Sequence, residues 1–254
     1  MAKQNIFDND IFFEGYKGIR DREVNANILF EIPALFSLLP DLKGLHILDL
    51  GCGFGEHCTE FVRRGAERVV GIDISEKMLE VAKAENSDPK IEYINLPMED
   101  LDRIDEKFDL VISSLAFHYV EDFSGVVKRI HEMLNPGGLF VFSQEHPLNT
   151  CHTTGERWTR DENGKKLHVN ISNYCRETEN ESTWFVDNVK KYHRMFSTII
   201  NTLTEAGFIV EKVLEPYPDE KILEKYPDYS DNLHKPDFIL VRSRKERGPE
   251  YANG

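Results

Sequence analysis

The segment with the clearest chemistry is Leu48-Asp49-Leu50-Gly51-Cys52-Gly53-Phe54-Gly55-Glu56. Glycines directly after an apolar run let the backbone turn sharply and approach a ligand closely. Asp73 lies 22 positions after Gly51, at the end of the next apolar run. A carboxylate there can accept from both ribose hydroxyls of a nucleoside. The glycine spacing discriminates among nucleosides. A dinucleotide fingerprint runs G-x-G-x-x-G, whereas here the third glycine falls one place early and the sixth position is Glu56. A carboxylate at that helix N-terminus competes with a pyrophosphate for the positive helix end. A cationic nucleoside without phosphate, such as S-adenosylmethionine, suits the loop better. An NAD-linked oxidoreductase is the rival, and both the spacing and Glu56 speak against it.

The surrounding pattern is one of alternating strands and helices. HILDL (46–50), RVVGID (68–73), IEYINL (91–96), FDLVISSL (108–115) and GLFVFSQ (138–144) are short apolar runs suited to buried parallel strands. EHCTEFVRRG (56–65) is amphipathic and closes at Gly65, and Ser75 can N-cap the next helix. A helix over about 122–134 stops at Asn135-Pro136-Gly137-Gly138. This rhythm implies a parallel sheet with helices on both faces. Residues 1–45 read as helical, with Pro33 and Pro40 as breaks. Beyond 147 the rhythm stops, and KLHVNISNY and STWFV are expected to pair as a hairpin. VKKYHRMFSTIINTLTEAGF (189–208) reads as a helix, and FIVEKVLE and DFILVRS as the last strands.

Lys+Arg total 31 against 45 Asp+Glu, a net charge of −14. Such a surface repels phosphate backbones, so no nucleic-acid partner is expected. No stretch is apolar for about 18 residues, so no membrane span is expected, and the N-terminus lacks the features of a secretory signal. Four cysteines without a CxxC motif fit neither a disulfide framework nor a structural zinc site, and point to a reducing, cytoplasmic setting.

Taken together, LDLGCGFG and GIDIS resemble the class I S-adenosylmethionine-dependent methyltransferases, over roughly residues 40–145. The resemblance implies an α/β, Rossmann-like, seven-stranded, mostly parallel sheet with helices on both faces, an N-terminal helical cap (1–45) and an inserted lid (147–187). The cofactor-binding core would be 46–146, and 188–245 the C-terminal helix and last strands. Pro97-Met98-Glu99-Asp100-Leu101 looks like the family's adenine loop, with Met98 and Glu99 in the reading positions. Asp49, Gly51, Gly53, Asp73, Ile74, Met78, Ser114 and His118 complete the cofactor-binding set that the resemblance implies. SSLAFHYVED (113–122) is similar to the segment that lies under the methionine part. SQEHP and KYHR resemble a bacterial subgroup of small methyltransferases with an insert after the fifth strand.

In this family's usual order the fourth and fifth strands are neighbours, which brings His118, Tyr119, Glu145 and His146 to one rim. His146, then His118, are the candidate bases; each could instead pack against the adenosine or order a turn. Glu145 either orients a His, faces the sulfonium, or is a solvated loop acid. His193 and Arg194 fit surface or packing roles better. Glu145, His146, Cys151 and His152 match no common zinc spacing, so no metal is expected. Trp158, Tyr174 and Trp184 are either an aromatic lid or the insert's own core. Tyr16 and Arg20 either close over the methionine carboxylate or lie on a surface helix. The expected activity is methyl transfer to an O, N or C atom of a small-molecule acceptor, by a monomer or homodimer. A non-catalytic S-adenosylmethionine-binding protein is the second alternative.

Overall fold

The strands alternate their side chains between two apolar layers, and this decides the architecture. In a computed structural model, which describes residues 4–20, 24–151 and 154–247, Leu48, Val70, Val111, Phe140 and Phe142 face one layer. Their chain neighbours Ile47, Val69, Leu110, Ile112 and Val141 face the other. A sheet buried on both faces needs helices on both.

The N-terminal segment carries α1 (Asp10–Arg20), a π-helical turn (Asn27–Glu31) and α2 (Ile32–Ser37). Pro33, expected as a break, instead lies where the π-helical turn passes directly into α2. The core follows as β1 (His46–Leu50), α3 (Glu56–Arg63), β2 (Arg68–Asp73), α4 (Glu76–Glu85), β3 (Ile91–Asn95), β4 (Phe108–Ser113), α5 (Phe123–Met133) and β5 (Leu134–Glu145). The insert holds α6 (Pro147–Thr150), β6 (Trp158–Arg160), β7 (Lys166–Val169), β8 (Glu179–Trp184) and β9 (Val186–Tyr192). Then come α7 (Phe196–Glu205), β10 (Phe208–Leu214), α8 (Glu220–Lys225) and β11 (Phe238–Lys245).

The main sheet has seven strands in the order β10-β11-β5-β4-β1-β2-β3. Pairing is parallel from β3 to β5, and β11 runs antiparallel to both its neighbours. On one face α5 and α7 pack through Val127, Ile130, Ile199 and Leu203; on the other α2 and α3 pack through Leu35 and Phe61. Among the described residues no helix is long and apolar enough to cross a membrane.

The insert corrects two expectations. KLHV pairs with WTR (β6–β7), not with STWFV; β8 pairs with β9. Residues 189–192, expected to be helical, are the second strand of that hairpin, and the helix starts only at Phe196. Cross-strand charge does what apolar alternation does elsewhere: Lys190 Nζ meets Glu179 Oε1 at 2.8 Å. The turn is made by Phe185 at φ 62°, without the glycine that would have marked it.

Candidate active site

The turn after β1 is tied to β2, since the Gly51 and Cys52 amides both donate to the Ile72 carbonyl, at 2.8 and 2.9 Å. Gly51 (φ 71°) has no room for a side chain: a Cβ there would stand 2.8 Å from the Ala116 Cβ and 3.0 Å from the Met98 Cε. Gly53 (φ 54°) is the opposite case, because a Cβ there would meet nothing within 4 Å. The backbone therefore borders open space at Gly53, as a ligand cradle requires.

Two carboxylates underlie this cradle. Asp73 Oδ2 accepts from the Gly53 amide and Oδ1 from the Ser75 amide, both at 2.9 Å. Asp49, 2 % exposed, accepts from the Cys58 thiol at 3.4 Å. Burial pushes Asp49 up to about 7 and Asp73 up to about 6. Both acids are held by a thiol or by backbone amides rather than by a cation, so the site favours a positively charged guest. S-adenosylmethionine carries an ammonium, a sulfonium and a ribose diol, so the donor set fits it.

Met98 and Glu99 open the 3-10 turn that follows β3, with the Met98 methyl against the glycine loop. Ile74 is half-buried, and its carbonyl accepts from the Asn5 and Asn95 side chains. Met78 is 2 % exposed, its amide held by Ser75 Oγ, so little of it borders the cradle. Ser114 Oγ donates to Glu31 Oε1 at 3.2 Å, away from its expected partner, and Ser143 Oγ donates to the same oxygen. Glu31 is fully buried and was not singled out, although a lone acid inside ILFEIPALF was a visible signal. Asp8 ties the N-terminus to the end of β2, accepting from Ser75 Oγ at 2.6 Å.

The rim over β4 and β5 separates the two candidate bases. His118, on the 3-10 turn Phe117–Tyr119, is 3 % exposed, and burial takes its imidazole down to about 4. Its Nδ1 accepts from the Glu145 amide at 3.4 Å, and its Nε2 lies 3.9 Å from Glu145 Oε1. Lys191, from β9, pairs with the same carboxylate at 2.5 Å. Burial works to raise the Glu145 carboxyl, but His118 and Lys191 outweigh it and leave the group below its ordinary range.

His146 turns the other way. Its Nδ1 accepts from the Leu148 amide at 3.1 Å, and its Nε2 donates to Glu215 Oε1 at 2.8 Å. That tautomer has no lone pair left for a substrate proton, so the geometry does not support the base expected here. His146 is the N-cap of α6. His146→Ala should cost about 1–3 kcal/mol of stability in urea unfolding and leave turnover within about threefold. A kcat loss beyond about tenfold in the folded variant would restore it as a catalytic group.

The other expected residues divide. Arg194 lies in the β9–α7 connection and donates to the Phe117, Val120 and Glu121 carbonyls, pinning the turn that bears His118. His193 is buried between Thr150 Oγ1 and the Tyr174 carbonyl, each at 2.8 Å. Of the three lid aromatics, Trp184 reaches the cap, edge-on to Phe12 at 5.3 Å and 6.1 Å from Tyr16. Trp158 packs on His234 and Tyr174 on His193. Tyr16 also meets Phe54 of the glycine loop at 6.1 Å. The side chain of Arg20, and His152, lie outside the described residues.

Residues 48–142 match the methyltransferase domain family. A solved S-adenosylmethionine-dependent methyltransferase of Mesorhizobium loti superposes with a TM-score of 0.76 and is 40% identical, over 85% of this chain and 97% of that one. An uncharacterized protein of Haemophilus influenzae is 38% identical over 249 residues, 96% of this chain and 98% of the relative. The ubiquinone biosynthesis O-methyltransferase of Nitrobacter winogradskyi is 38% identical over 104 residues, 40% of this chain and 39% of that protein. These likenesses remove the oxidoreductase alternative and agree with a glycine loop built for a cationic nucleoside. The chain belongs to the class I S-adenosylmethionine-dependent methyltransferases, enzymes that use that cofactor as their methyl donor.

Proposed function

We propose that this methyltransferase acts on a small molecule, methylating an O, N or C atom in a pocket between Tyr119, Glu145, the inserted hairpin and the N-terminal cap. One observation carries the reading: the insert and the cap close over the rim together. Trp184 packs on Phe12, and the Gln4 side chain exchanges two hydrogen bonds with the Lys190 backbone, at 2.8 and 3.2 Å. A pocket roofed in this way suits a small acceptor and excludes water from it.

Bound S-adenosylmethionine supplies an electrophilic methyl group. The chain's own residues do the rest. Asp73 takes the ribose hydroxyls, Gly51 and Gly53 admit the methionine portion, and Asp49 sets the charge at its amino end. Met98 and Glu99 read the adenine, with Ile74 beside them. Glu145 replaces His146 as the group that accepts a proton from the acceptor. His118 is a positioning residue whose Nδ1 accepts from the Glu145 backbone amide. Alignment of acceptor and donor is the main contribution of the rest of the pocket.

Labelled S-adenosylmethionine incubated with fractionated small-molecule extracts tests this directly, with label expected in a low-mass product. Label found only in protein or RNA would reject the small-molecule reading. Asp73→Ala should weaken S-adenosylhomocysteine binding by about 1.5–3 kcal/mol, the range for a charge-assisted hydrogen bond. Because Asp73 also holds the Gly53 and Ser75 amides, the loop should loosen as well, seen as faster hydrogen exchange at 51–55. Unchanged calorimetric affinity in the folded variant would remove Asp73 from the ribose site.

A further inference from the structure

One charged group at the rim has no task in that scheme. Lys191 comes from the insert, yet its side chain is only 17% exposed and ends inside the site. Its ammonium lies 5.3 Å from the Trp184 ring centroid and 5.9 Å from that of Tyr119, and it meets the Glu145 carboxylate at 2.5 Å. Phe7 stands edge-on to Tyr119 at 5.8 Å and to Tyr16 at 5.4 Å, so the rings continue toward the glycine loop. Aromatic faces and one carboxylate around a cation form the arrangement that recognises ammonium groups. Here the chain fills it with its own lysine.

We propose that Lys191 stands in for the substrate, and that the acceptor is a small amine whose ammonium takes the place of the lysine in the cage of Tyr119, Trp184 and Glu145. This rests on the small-molecule reading above and narrows it to N-methylation. The net charge of −14 works in the same direction, since an acidic protein draws cations and repels anions. The cage also suits the product, because each added methyl group makes the cation more apolar and better matched to aromatic faces.

The chemistry balances with the groups present. The acceptor ammonium replaces the Lys191 ammonium beside Glu145, so the neighbouring cation and His118 keep the carboxylate ionised and able to accept a proton. The acceptor ammonium gives one proton to Glu145, which frees a lone pair on nitrogen. That pair forms the N–CH3 bond as the CH3–S bond breaks. Sulfur keeps the bonding electrons and becomes a neutral thioether.

Binding tests the cage without turnover. The chain has two tryptophans, so Trp158→Phe leaves Trp184 as the single indole reporter. In that background, saturated with S-adenosylhomocysteine, choline and its neutral isostere 3,3-dimethylbutan-1-ol are titrated against fluorescence. Lys191→Met should bind choline at least about tenfold more tightly than the parent, with no such gain for the isostere. Adding Glu145→Gln should remove the gain. Lys191→Gln serves if the methionine variant does not fold. No gain for choline, or an equal gain for the isostere, overturns the proposal.

Transfer separates this idea from the broader one. Label moving to phenols or carboxylic acids, with kcat/KM reduced in Lys191→Met, would make Lys191 an anion receptor and overturn the amine assignment alone. Label moving to no small molecule would overturn the small-molecule reading itself.

Discussion

Glu145→Gln should lower kcat by about 10²–10⁴-fold, the usual loss for a general acid–base group, and leave S-adenosylhomocysteine affinity within about twofold. The amide has the same shape and still accepts from Lys191, but it cannot take up a proton. The proposed cofactor contacts lie elsewhere, at the ends of β1 to β3, so binding there should not register the change. The effect depends on the acceptor having an N–H or O–H to lose. An ionised oxygen or an activated carbon needs no base, and the loss would then stay below about tenfold. A small loss with an identified amine or hydroxyl acceptor would remove Glu145 from the chemistry.

Glu145 and His146 also show where the sequence stopped being informative. Both stand at the end of β5, and the apolar run before them located that end well. Side chains alternate across a strand, however, so neighbouring residues point to opposite sides. Glu145 shares its side with His118 and Lys191, and His146 points to Glu215. Nothing in SQEHP says which of the two faces the cofactor side; that depends on the register of β5 with β4 and β11. The proline after His146 restrains the backbone to extended angles, and there it serves a helix cap rather than a base.

The core strands were legible for the converse reason. HILDL, RVVGID and FDLVIS are buried on both faces, so their composition alone marks them. The insert has no such constraint. β8 is almost wholly polar, its pairing with β9 is supported by charge, and its turn lacks glycine. Lys191 therefore fell within the stretch 189–208 that reads as a helix. Placed on a strand, it reaches Glu145 and becomes the most informative side chain of the insert.

The affinity for S-adenosylhomocysteine should fall steeply as the pH drops. Among the described residues no cation meets the buried Asp49, and burial holds its carboxyl near 7. Asp73 is held near 6 for the same primary reason. In the folded, ligand-free protein each group has a raised pKa. Its stabilising contribution is thus complete below the unfolded value near 3.8 and is lost as the pH rises through the folded value. At pH 8 both acids are ionised and cost stability; a bound ammonium offsets that cost at Asp49, and the ribose hydroxyls offset it at Asp73. At pH 5.5 both are mostly protonated and offer those groups little. Between pH 8 and 5.5 affinity should fall about 30-fold if Asp49 alone must ionise, and about 100-fold if both must. Asp49→Asn separates the causes. It should stabilise the ligand-free protein at pH 8 by about 1–3 kcal/mol, bind weakly at every pH, and lose most of the pH slope. Calorimetric titrations from pH 5.5 to 8, with thermal unfolding of the free protein at each pH, measure both effects. A flat affinity profile in protein that stays folded would mean that binding needs neither carboxylate ionised, and would remove Asp49 from the cofactor's amino end.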